Sequence, residues 1–363
     1  MRILIIGGTG LISTAITRLL VESGHDVTLY NRGRREARLP VPPKTIVGDR
    51  RDFPVFESQM REAGIFDCVI DMICFEAEEA RSLIRAFSGR AGHLIFYGTV
   101  DVYTTPLGVP ACGAKPAAHY PIREDEPRHP DPAFSYAFQK AECEELLLSA
   151  HDEGHFPVTI IRPAATYGEG GKPVHTLGWS TTYLDRIRKG RPIIVHGDGN
   201  TLWSWCHVDD VARAFANAAG AGQAFGMSYH VTGEEWMTWN RYYQGMAQAM
   251  GAPDPVLVRV PTDLLAKALP QQAHWCLVNF QFNNIFDNAA ARADLGFRYT
   301  VPWVDGARRT IGWLDAHGAI EDCDSDPLVE RVIQAWERSR VGMIEDLADL
   351  REVALRGRKV HCV

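Results

Sequence analysis

The chain has 363 residues, 46% of them hydrophobic and 23% charged, so it is long enough to bury one large core or two modest ones. Its formal net charge of −7 and its pI near 6.0 provide no basic field for gripping a phosphate backbone, which argues against nucleic acid as a partner. No apolar stretch approaches the roughly 20 residues that a membrane span requires, so we expect no membrane association.

The cysteines and the first residues indicate the compartment. The eight cysteines stand singly along the chain, with neither a C-x-x-C pair nor histidine and cysteine at zinc-binding spacing. This scatter predicts reduced thiols and no metal site. The first residues run directly into a glycine turn and leave no room for a signal-peptide pattern. We therefore expect a cytoplasmic protein.

The N-terminal half alternates apolar runs with helical patterns. Residues 2–6 form an apolar run, residues 7–13 a turn of small residues and residues 14–23 a helical pattern. Further strands are expected at 26–30, 68–73, 93–98 and 158–161. This alternation predicts a Rossmann-type, doubly wound parallel α/β sheet.

The glycine turn is the first feature that carries chemistry. In I-I-G-G-T-G-L-I-S, Gly7 and Gly10 follow a strand and open a helix, where the missing Cβ atoms let the backbone approach a pyrophosphate. The helix N-terminus adds free N–H groups and a positive dipole end. Such turns also occur for tight packing alone, but the position inside a βαβ pattern favours dinucleotide binding.

The end of the second strand bears on which dinucleotide is bound. An acidic residue there would bind ribose hydroxyls, but residues 30–35 read Y-N-R-G-R-R, with three arginines and no acid. Arginine suits a 2′-phosphate through charge-assisted hydrogen bonds, which slightly favours NADP over NAD. The alternatives are a solvated basic loop, or Asn31 serving NAD. Asp49, after a third strand, is placed to hold the adenine edge.

A tyrosine and a lysine four residues apart form the catalytic signal. Tyr136 and Lys140, in S-Y-A-F-Q-K, share one face of a helix, where the ammonium and a positively charged nicotinamide would lower the pKa of the phenol. Such a pair occurs by chance in many helices. Here it follows a strand whose end supplies the Thr99 hydroxyl at the carboxyl edge of the sheet, where open α/β folds bind ligands.

With these motifs in this order, the sequence resembles the NAD-dependent epimerase/dehydratase family, the extended short-chain dehydrogenases, over about residues 1–300. The N-R-G turn after the second strand is also similar to an atypical branch that includes chloroplast stem-loop-binding proteins. The resemblance is carried by the glycine turn, the T-x-x-V-Y run at 99–103, the Tyr136/Lys140 pair, the I-I-R-P-A-A-T-Y-G run at 160–168 and the G-D-G…H-V-D-D-V-A run at 197–212.

The resemblance implies a role for each matching residue. Tyr136 would take the hydroxyl proton as hydride leaves carbon, Lys140 would bind the nicotinamide ribose and tune Tyr136, and Thr99 would hydrogen-bond the reacting oxygen. Asp101 would be a second acid-base group, or else a carboxylate that only accepts loop N–H bonds. The expected cofactor contacts are Gly7, Thr9, Gly10, Leu11, Ile12, Asn31, Arg32, Arg35, Asp49, Arg50, Tyr97, Gly98, Tyr136, Lys140 and Pro163. Asp101 and Tyr103 are also expected to contact the substrate. From the residues themselves, His175 is a further candidate because it follows Gly170 and Gly171 where the substrate domain begins, and Trp203 is a candidate for stacking, with core packing as its alternative.

The same resemblance suggests a division of the chain. Residues 1–170, with a return near 205–220, are expected to form the NAD(P)-binding domain. Residues 171–363 are expected to form mainly a smaller substrate-binding domain and C-terminal helices, the last of them over 327–356. The stretch from 104 to 132 is too long for a routine connection and is expected to border the substrate. A homodimer through the helix of Tyr136 is expected.

Two departures from the family pattern matter. Ser13 replaces the third glycine of the turn, which still permits close packing. Trp203-Ser204 stand where sugar-nucleotide enzymes carry Arg-Asp, whose arginine meets the substrate diphosphate. We therefore expect a nucleoside, nucleoside monophosphate, free sugar or cyclitol as substrate, with stacking on the indole. Four cations just upstream could compensate for the missing arginine: Arg186, Arg188, Lys189 and Arg191.

Three functions are compatible with the sequence. The first is an NAD(P)-dependent epimerase that transiently oxidises a hydroxyl carbon of a sugar, nucleoside or related polyol. The second is an NADP(H)-dependent reductase or a dehydratase that uses the same tyrosine. The third is a non-catalytic NAD(P)-binding partner protein. The set of Thr99, Tyr136 and Lys140 speaks against the third, because a binder needs none of their chemistry.

Overall fold

The computed structural model describes residues 1–348, except 36–38, 40–41, 104–119, 129 and 131. Most of the loop expected to border the substrate lies outside the described residues. So does the end of the helix expected over residues 327–356. Among the helices of the described part, none combines the length and the apolar character that crossing a membrane would take.

A parallel sheet of seven strands forms the centre of the fold. Its order is β11-β6-β5-β4-β1-β2-β3, and every neighbouring pair is parallel. The remaining strands form three two-stranded pairs, β10–β7, β12–β9 and β13–β8. The strands are β1 (Arg2–Ile6), β2 (Asp26–Asn31), β3 (Lys44–Val47), β4 (Cys68–Asp71), β5 (Leu94–Tyr97), β6 (Val158–Pro163), β7 (Ala165–Tyr167), β8 (Ile193–His196), β9 (Leu202–Trp203), β10 (Trp205–His207), β11 (Ser228–Val231), β12 (Met237–Thr238) and β13 (Leu257–Val260).

Helices follow most of the strands. They are α1 (Leu11–Glu22), α2 (Phe53–Ala63), α3 (Ala77–Phe87), α4 (Ser135–Asp152), α5 (Thr182–Arg188), α6 (Val208–Ala218), α7 (Trp239–Met250), α8 (Thr262–Ala268), α9 (Ala289–Leu295), α10 (Trp303–Ala316) and α11 (Leu328–Asp346). Short 3-10 turns at Val100–Tyr103 and Gly222–Ala224 and a π-helical turn at Cys276–Phe280 complete the described elements.

The central strands are buried on both faces, as their unbroken apolar runs predict. In β1, Ile3 to Ile6 are fully buried between helices on the two sides of the sheet. The Rossmann-type fold is therefore confirmed. Its strand order reverses between β1 and β4, and a ligand crevice opens at the carboxyl ends of the strands at such a point.

After residue 170 the chain returns to the cofactor-binding sheet over a longer segment than the expected residues 205–220. Helix α6 packs on α1 within one core cluster, in agreement with a return near residues 205–220. The seventh strand, β11, then comes from residues 228–231, and α9 packs beside it. The division into two domains near residue 170 stays a prediction. In the structure, α6, β11 and α9 pack with the seven-stranded sheet although they follow residue 170.

A second core in the later half of the chain is unusually aromatic. Trp205 stacks on Tyr242 with ring centroids 4.7 Å apart, and Trp203, Trp239 and Trp303 surround them. Each ring buries a large apolar area, so this cluster supplies much of the stability around the β9–β10 segment. Trp203 and Trp205 therefore lie in a rigid setting.

Gly233 allows the segment after β11 to approach this aromatic core. It is buried, and a Cβ atom at this position would overlap the carbonyl oxygen of Trp205. Gly222, in contrast, is exposed and has open space around it. The two glycines therefore form a matched pair in which the backbone clash is the main difference.

We expect Gly233→Ala to lower the free energy of unfolding by ~2 kcal/mol or more, because the backbone must move to accept the methyl group. Gly222→Ala should stay within about 0.5 kcal/mol of the parent protein. Thermal unfolding of both variants checks this. Equal melting temperatures for the two would contradict the close approach of residue 233 to Trp205.

Candidate active site

A single large cavity of about 1120 Å³ runs along the carboxyl edge of the sheet. One end is bordered by the turn after β1 and by the ends of β2 and β3. The other end reaches the β9–β10 segment and the π-helical turn. Thr99, Asp101 and Tyr136 line the wall between these two ends, so the expected cofactor and catalytic residues share one space.

The glycine turn has the backbone conformation that a close ligand approach requires. Gly7 has φ +112° and Gly8 has φ +83°, and a Cβ on Gly8 would lie 2.6 Å from Leu29 of β2. The Gly10 N–H donates to Ser13 Oγ at 2.9 Å, so the residue that replaces the third glycine adds a hydrogen bond to the turn. Gly7, Thr9, Gly10, Leu11 and Ile12 all line the cavity, as expected. This arrangement fits a dinucleotide pyrophosphate at the N-terminus of α1.

The arginines after β2 form an exposed cationic edge of the cavity. Arg32, Arg34 and Arg35 are exposed and line it, and within the described part of the chain none of them has a hydrogen bond or ion pair. Asn31 Oδ1 accepts from the Gly33 N–H at 2.8 Å and so fixes the turn. Because these guanidinium groups have no partner in the described chain, they can form charge-assisted hydrogen bonds with a phosphate.

Asp49 and Arg50 differ in their exposure. Asp49 is exposed on the cavity, and one of its carboxylate oxygens accepts from the Arg51 N–H at 3.0 Å. Arg50 lines the cavity but is buried, and it donates to Asp71 Oδ2 at 2.6 Å and to the Glu79 carbonyl at 3.0 Å. Arg50 therefore links the end of β3 to the end of β4 through hydrogen bonds. These bonds leave only part of its guanidinium available to a cofactor.

Tyr136 and Thr99 form the hydroxyl pair that the sequence predicts. Both side chains line the cavity, and Thr99 Oγ1 donates to Asp101 Oδ2 at 3.0 Å. Tyr136 comes from the first turn of α4, whereas Thr99 follows β5. The fold thus brings together two segments that are far apart in sequence and presents both hydroxyls to the cavity.

The environment of Tyr136 shifts its pKa in the direction opposite to the expected one. Burial raises this pKa well above its ordinary value, negative charge on Tyr97 and Asp101 raises it further, and the Thr99 hydrogen bond opposes the rise. Lys140 does not lower it in the chain without cofactor. A phenol in this setting stays protonated at neutral pH until positive charge arrives in the cavity.

Lys140 is fully buried beside the cavity. Its Nζ donates to the carbonyl oxygens of Cys74 at 2.8 Å and of Tyr97 at 2.6 Å, and the rings of Phe75, Phe96 and Tyr97 lie within 5.0 Å of it. Burial lowers its pKa. Lys140 therefore ties the ends of β4 and β5 to α4, and its contact with a nicotinamide ribose stays a prediction.

Asp101 is held by an amide relay that sequence reasoning missed. Asn279, in the π-helical turn, donates to Asp101 Oδ1 at 2.7 Å, and Asn284 donates to Asn279 Oδ1 at 2.9 Å. Burial raises the pKa of Asp101 to about 6, while the hydrogen bonds from Thr99 and Asn279 oppose the rise. No local motif marks Asn279, because it lies 178 residues from its partner.

Four expected residues lie in different settings. Pro163 and Tyr97 line the cavity, as predicted for contacts near a nicotinamide. Gly98 lies behind it against Glu144, where a side chain would collide. Tyr103 also lies outside the cavity lining, and its hydroxyl is bonded to Arg162 and His230. Neither Gly98 nor Tyr103 therefore faces a ligand directly.

His175 is also outside the cavity. It is buried, its ring stacks on Tyr183 with centroids 4.5 Å apart, and burial lowers its pKa to about 3. The expected substrate contact does not match this position, because the histidine packs as a neutral ring within the second core. Trp203, in contrast, lines the cavity as expected.

We predict that the Asp101 carboxyl titrates near pH 6. A buried carboxylate loses solvation, which disfavours its charged form and raises its pKa above that of an ordinary aspartate. Asn279→Ala should raise this pKa further, because it removes a hydrogen bond to the charged form. NMR titration of 13C-labelled aspartate carboxyls, assigned with Asp101→Asn, measures both values. Asn217→Ala, on α6 away from the cavity, is the control, and an Asp101 pKa below about 4.5 would contradict the assignment.

The family profile described as the NAD dependent epimerase/dehydratase family matches residues 76–229. This range includes Thr99, Asp101, Tyr136 and Pro163, which line the cavity, and Lys140, which is buried beside it.

Several curated proteins are similar in sequence. The chloroplast stem-loop binding protein of 41 kDa b of Arabidopsis thaliana is 29% identical over 270 residues, which cover 71% of this chain and 65% of that protein, slightly less than two thirds. The 2′-dehydrokanamycin reductase of Streptomyces kanamyceticus is 26% identical over 79% of this chain and 77% of its own length. The UDP-glucose 4-epimerase of Mycolicibacterium smegmatis is 30% identical over 59% and 62%.

Solved structures share the fold at low sequence identity. The UDP-glucose 4-epimerase of Stenotrophomonas maltophila, solved with NAD and formylated UDP-arabinopyranose, aligns with a TM-score of 0.70 at 18% identity and covers 88% of this chain and 99% of its own. The UDP-glucose 4-epimerase of Bifidobacterium longum, solved with NAD+ and UDP, aligns with a TM-score of 0.69 at 19% identity and covers 88% and 100%. The family match covers residues 76–229, so this chain is similar to the NAD-dependent epimerase/dehydratase family over that segment, and it shares the Rossmann-type fold of these solved structures.

Proposed function

We propose that this protein is an NAD(P)-dependent epimerase that transiently oxidises a hydroxyl carbon of a sugar, nucleoside or related polyol. The observation that carries the proposal is that Thr99 and Tyr136 line the same cavity as the glycine turn. A dinucleotide bound along this cavity would place its pyrophosphate at the N-terminus of α1. Its nicotinamide half would then reach the hydroxyls of Thr99 and Tyr136.

The bound dinucleotide would supply the hydride acceptor and donor, and the chain would supply the proton transfers. Tyr136 accepts the proton of the substrate hydroxyl when hydride leaves the carbon, and it returns that proton when hydride comes back to the opposite face of the ketone. Thr99 holds the reacting oxygen by a hydrogen bond. Asp101 accepts the Thr99 hydroxyl hydrogen and would act as a second acid-base group where a proton leaves or reaches carbon, as in the dehydratase alternative.

A reductase that uses NADPH is the second candidate, and one observation favours it. Arg32, Arg34 and Arg35 stand exposed at the cavity edge with no partner in the described chain, as a 2′-phosphate site requires. The similar protein from Streptomyces kanamyceticus is named a reductase of 2′-dehydrokanamycin, a keto compound. A non-catalytic binder is disfavoured, because it would need none of the acid-base chemistry of Thr99, Tyr136 and Lys140. The homodimer and the cytoplasmic location stay predictions.

Replacing Tyr136 with Phe should reduce turnover by at least ~100-fold, because the ring stays but the acid-base group is lost. The melting temperature and the dinucleotide affinity should change little. Tyr229→Phe, which removes a hydroxyl bonded to Asp294 outside the cavity, is the matched control. Near-normal turnover of Tyr136→Phe would overturn the catalytic assignment.

The state of any co-purifying cofactor separates the two candidates. An epimerase regenerates its oxidised dinucleotide in each cycle, so freshly purified protein should contain oxidised cofactor and give no net change in NAD(P)H absorbance during turnover. A reductase must exchange its cofactor and consume NADPH stoichiometrically. Mass spectrometry of the denatured protein, together with absorbance at 340 nm during turnover, distinguishes these outcomes.

Arg32→Ala should weaken NADPH binding by at least ~10-fold and leave NADH binding nearly unchanged, because only NADPH carries the 2′-phosphate. Arg241→Ala, an exposed arginine on α7 outside the cavity, is the control. Titration of the reduced cofactors by fluorescence gives the four dissociation constants for each variant. An equal loss for NADH and NADPH would assign Arg32 to the shared part of the dinucleotide instead.

A further inference from the structure

Positive charge is distributed very unevenly along the cavity. Its five arginines all lie at the end formed by β2 and β3: Arg32, Arg34, Arg35, Arg50 and Arg51. Beyond Thr99, the described lining residues include no lysine or arginine, and Asp101 carries a carboxylate there. The cofactor end is therefore cationic, whereas the substrate end is neutral to anionic.

The four cations upstream of β8 do not compensate for this. Arg186 is buried and donates to the Pro192 carbonyl and to Glu330, and Arg188 forms a two-pronged pair with Asp315. The other two pair with acids of the segment before α11: Lys189 with Asp322 and Asp324, and Arg191 with Asp324. None of the four lines the cavity.

Four aromatic rings line the cavity at the end formed by the β9–β10 segment and the π-helical turn. Trp179 and Trp275 meet edge to face with centroids 5.6 Å apart, and Trp275 also stacks near Phe280 at 6.1 Å. Trp203 packs edge to face on Phe280 at 4.9 Å. All four rings line the cavity, and the Trp179 indole is 51% exposed, so its face is available to a ligand.

Polar contacts at this end are few and neutral apart from Asp101. Ser204 Oγ is already bonded to the Asn284 carbonyl at 3.0 Å, and the Asn284 amide nitrogen donates to Asn279. An anionic diphosphate placed here would lose its solvation without gaining a cationic partner among the described residues of the lining, and Asp101 would repel it. A hydroxylated ring, in contrast, can stack its apolar face on an indole and hydrogen-bond to Thr99 and Asp101.

We propose that the substrate is a hydroxylated ring compound without a diphosphate, such as a glycoside or nucleoside, bound with one ring face against the exposed indole of Trp179. The inference rests on the proposed function, because the Thr99–Tyr136 pair is taken to mark the reacting carbon. It narrows that function by excluding the nucleoside-diphosphate sugars.

The test measures binding to the full chain saturated with dinucleotide, after dinucleotide binding itself has been established by titration. Phenyl β-glucoside and uridine are compared with UDP-glucose and dTDP-glucose by calorimetry. At least one unphosphorylated ring should bind at least ~10-fold more tightly than either diphosphate sugar. The proposal is overturned if a diphosphate sugar binds as tightly as every unphosphorylated ring, or if neither unphosphorylated ring binds at millimolar concentration.

Trp179→Leu tests the stacking face. This substitution should weaken the binding of the unphosphorylated ligand by at least ~5-fold while leaving the dinucleotide affinity and the melting temperature unchanged. Trp236→Leu is the matched control, since this indole is 45% exposed but lies outside the cavity. Equal losses in the two variants would overturn the role of Trp179. A chain that binds no dinucleotide would contradict the proposed function itself, which separates the two failures.

Discussion

The parallel pairing of β1 with β2 on one side and β4 on the other is the constraint on which the site depends. It places the carboxyl ends of neighbouring strands at one edge and opens the crevice where the strand order reverses. The glycine turn, the arginine edge and Thr99 each follow a different strand of this sheet. Because the sheet is buried on both faces, these segments are held in fixed relative positions.

The titratable groups near Thr99 lie in an electrostatic environment that suits a cationic cofactor. Burial raises the pKa of Tyr136, raises that of Asp101 to about 6 and lowers that of Lys140, so all three groups are shifted toward their neutral forms. Each shift reflects the absence of water around a polar group. A positive nicotinamide would reverse the effect at Tyr136, which ties the activation of the phenol to cofactor binding.

Much of the cofactor end could be predicted from sequence, because its signals are local. The turn at Gly7 and Gly10 and the arginines at 32–35 follow directly from strand ends, and all of them line the cavity. Thr99 and Tyr136 also line the cavity, and each is marked by a local motif, the end of a strand and the Y-x-x-x-K spacing. The packing of Gly8 against Leu29 and the hydrogen bond from the Gly10 N–H to Ser13 Oγ are marked by no local pattern.

The substrate end could be predicted only in part, because it is built from long-range contacts. Asn279 meets Asp101 across 178 residues, and Trp275 reaches the cavity from the same π-helical turn. No local pattern marks either residue. His175 shows the converse error: glycines nearby suggested a binding loop, but the ring is packed on Tyr183 in the second core. Tyr103 is similarly directed toward Arg162 and His230.

All of the proposed chemistry requires that the cavity bind a dinucleotide along the β1 turn with its reactive end at Thr99 and Tyr136. This binding can be measured by calorimetric titration of the purified chain, stripped of any co-purifying ligand, with NAD+, NADP+ and their reduced forms. We expect saturable binding of one dinucleotide per chain for at least one of the four. Failure of all four to bind at millimolar concentration would contradict the proposed function.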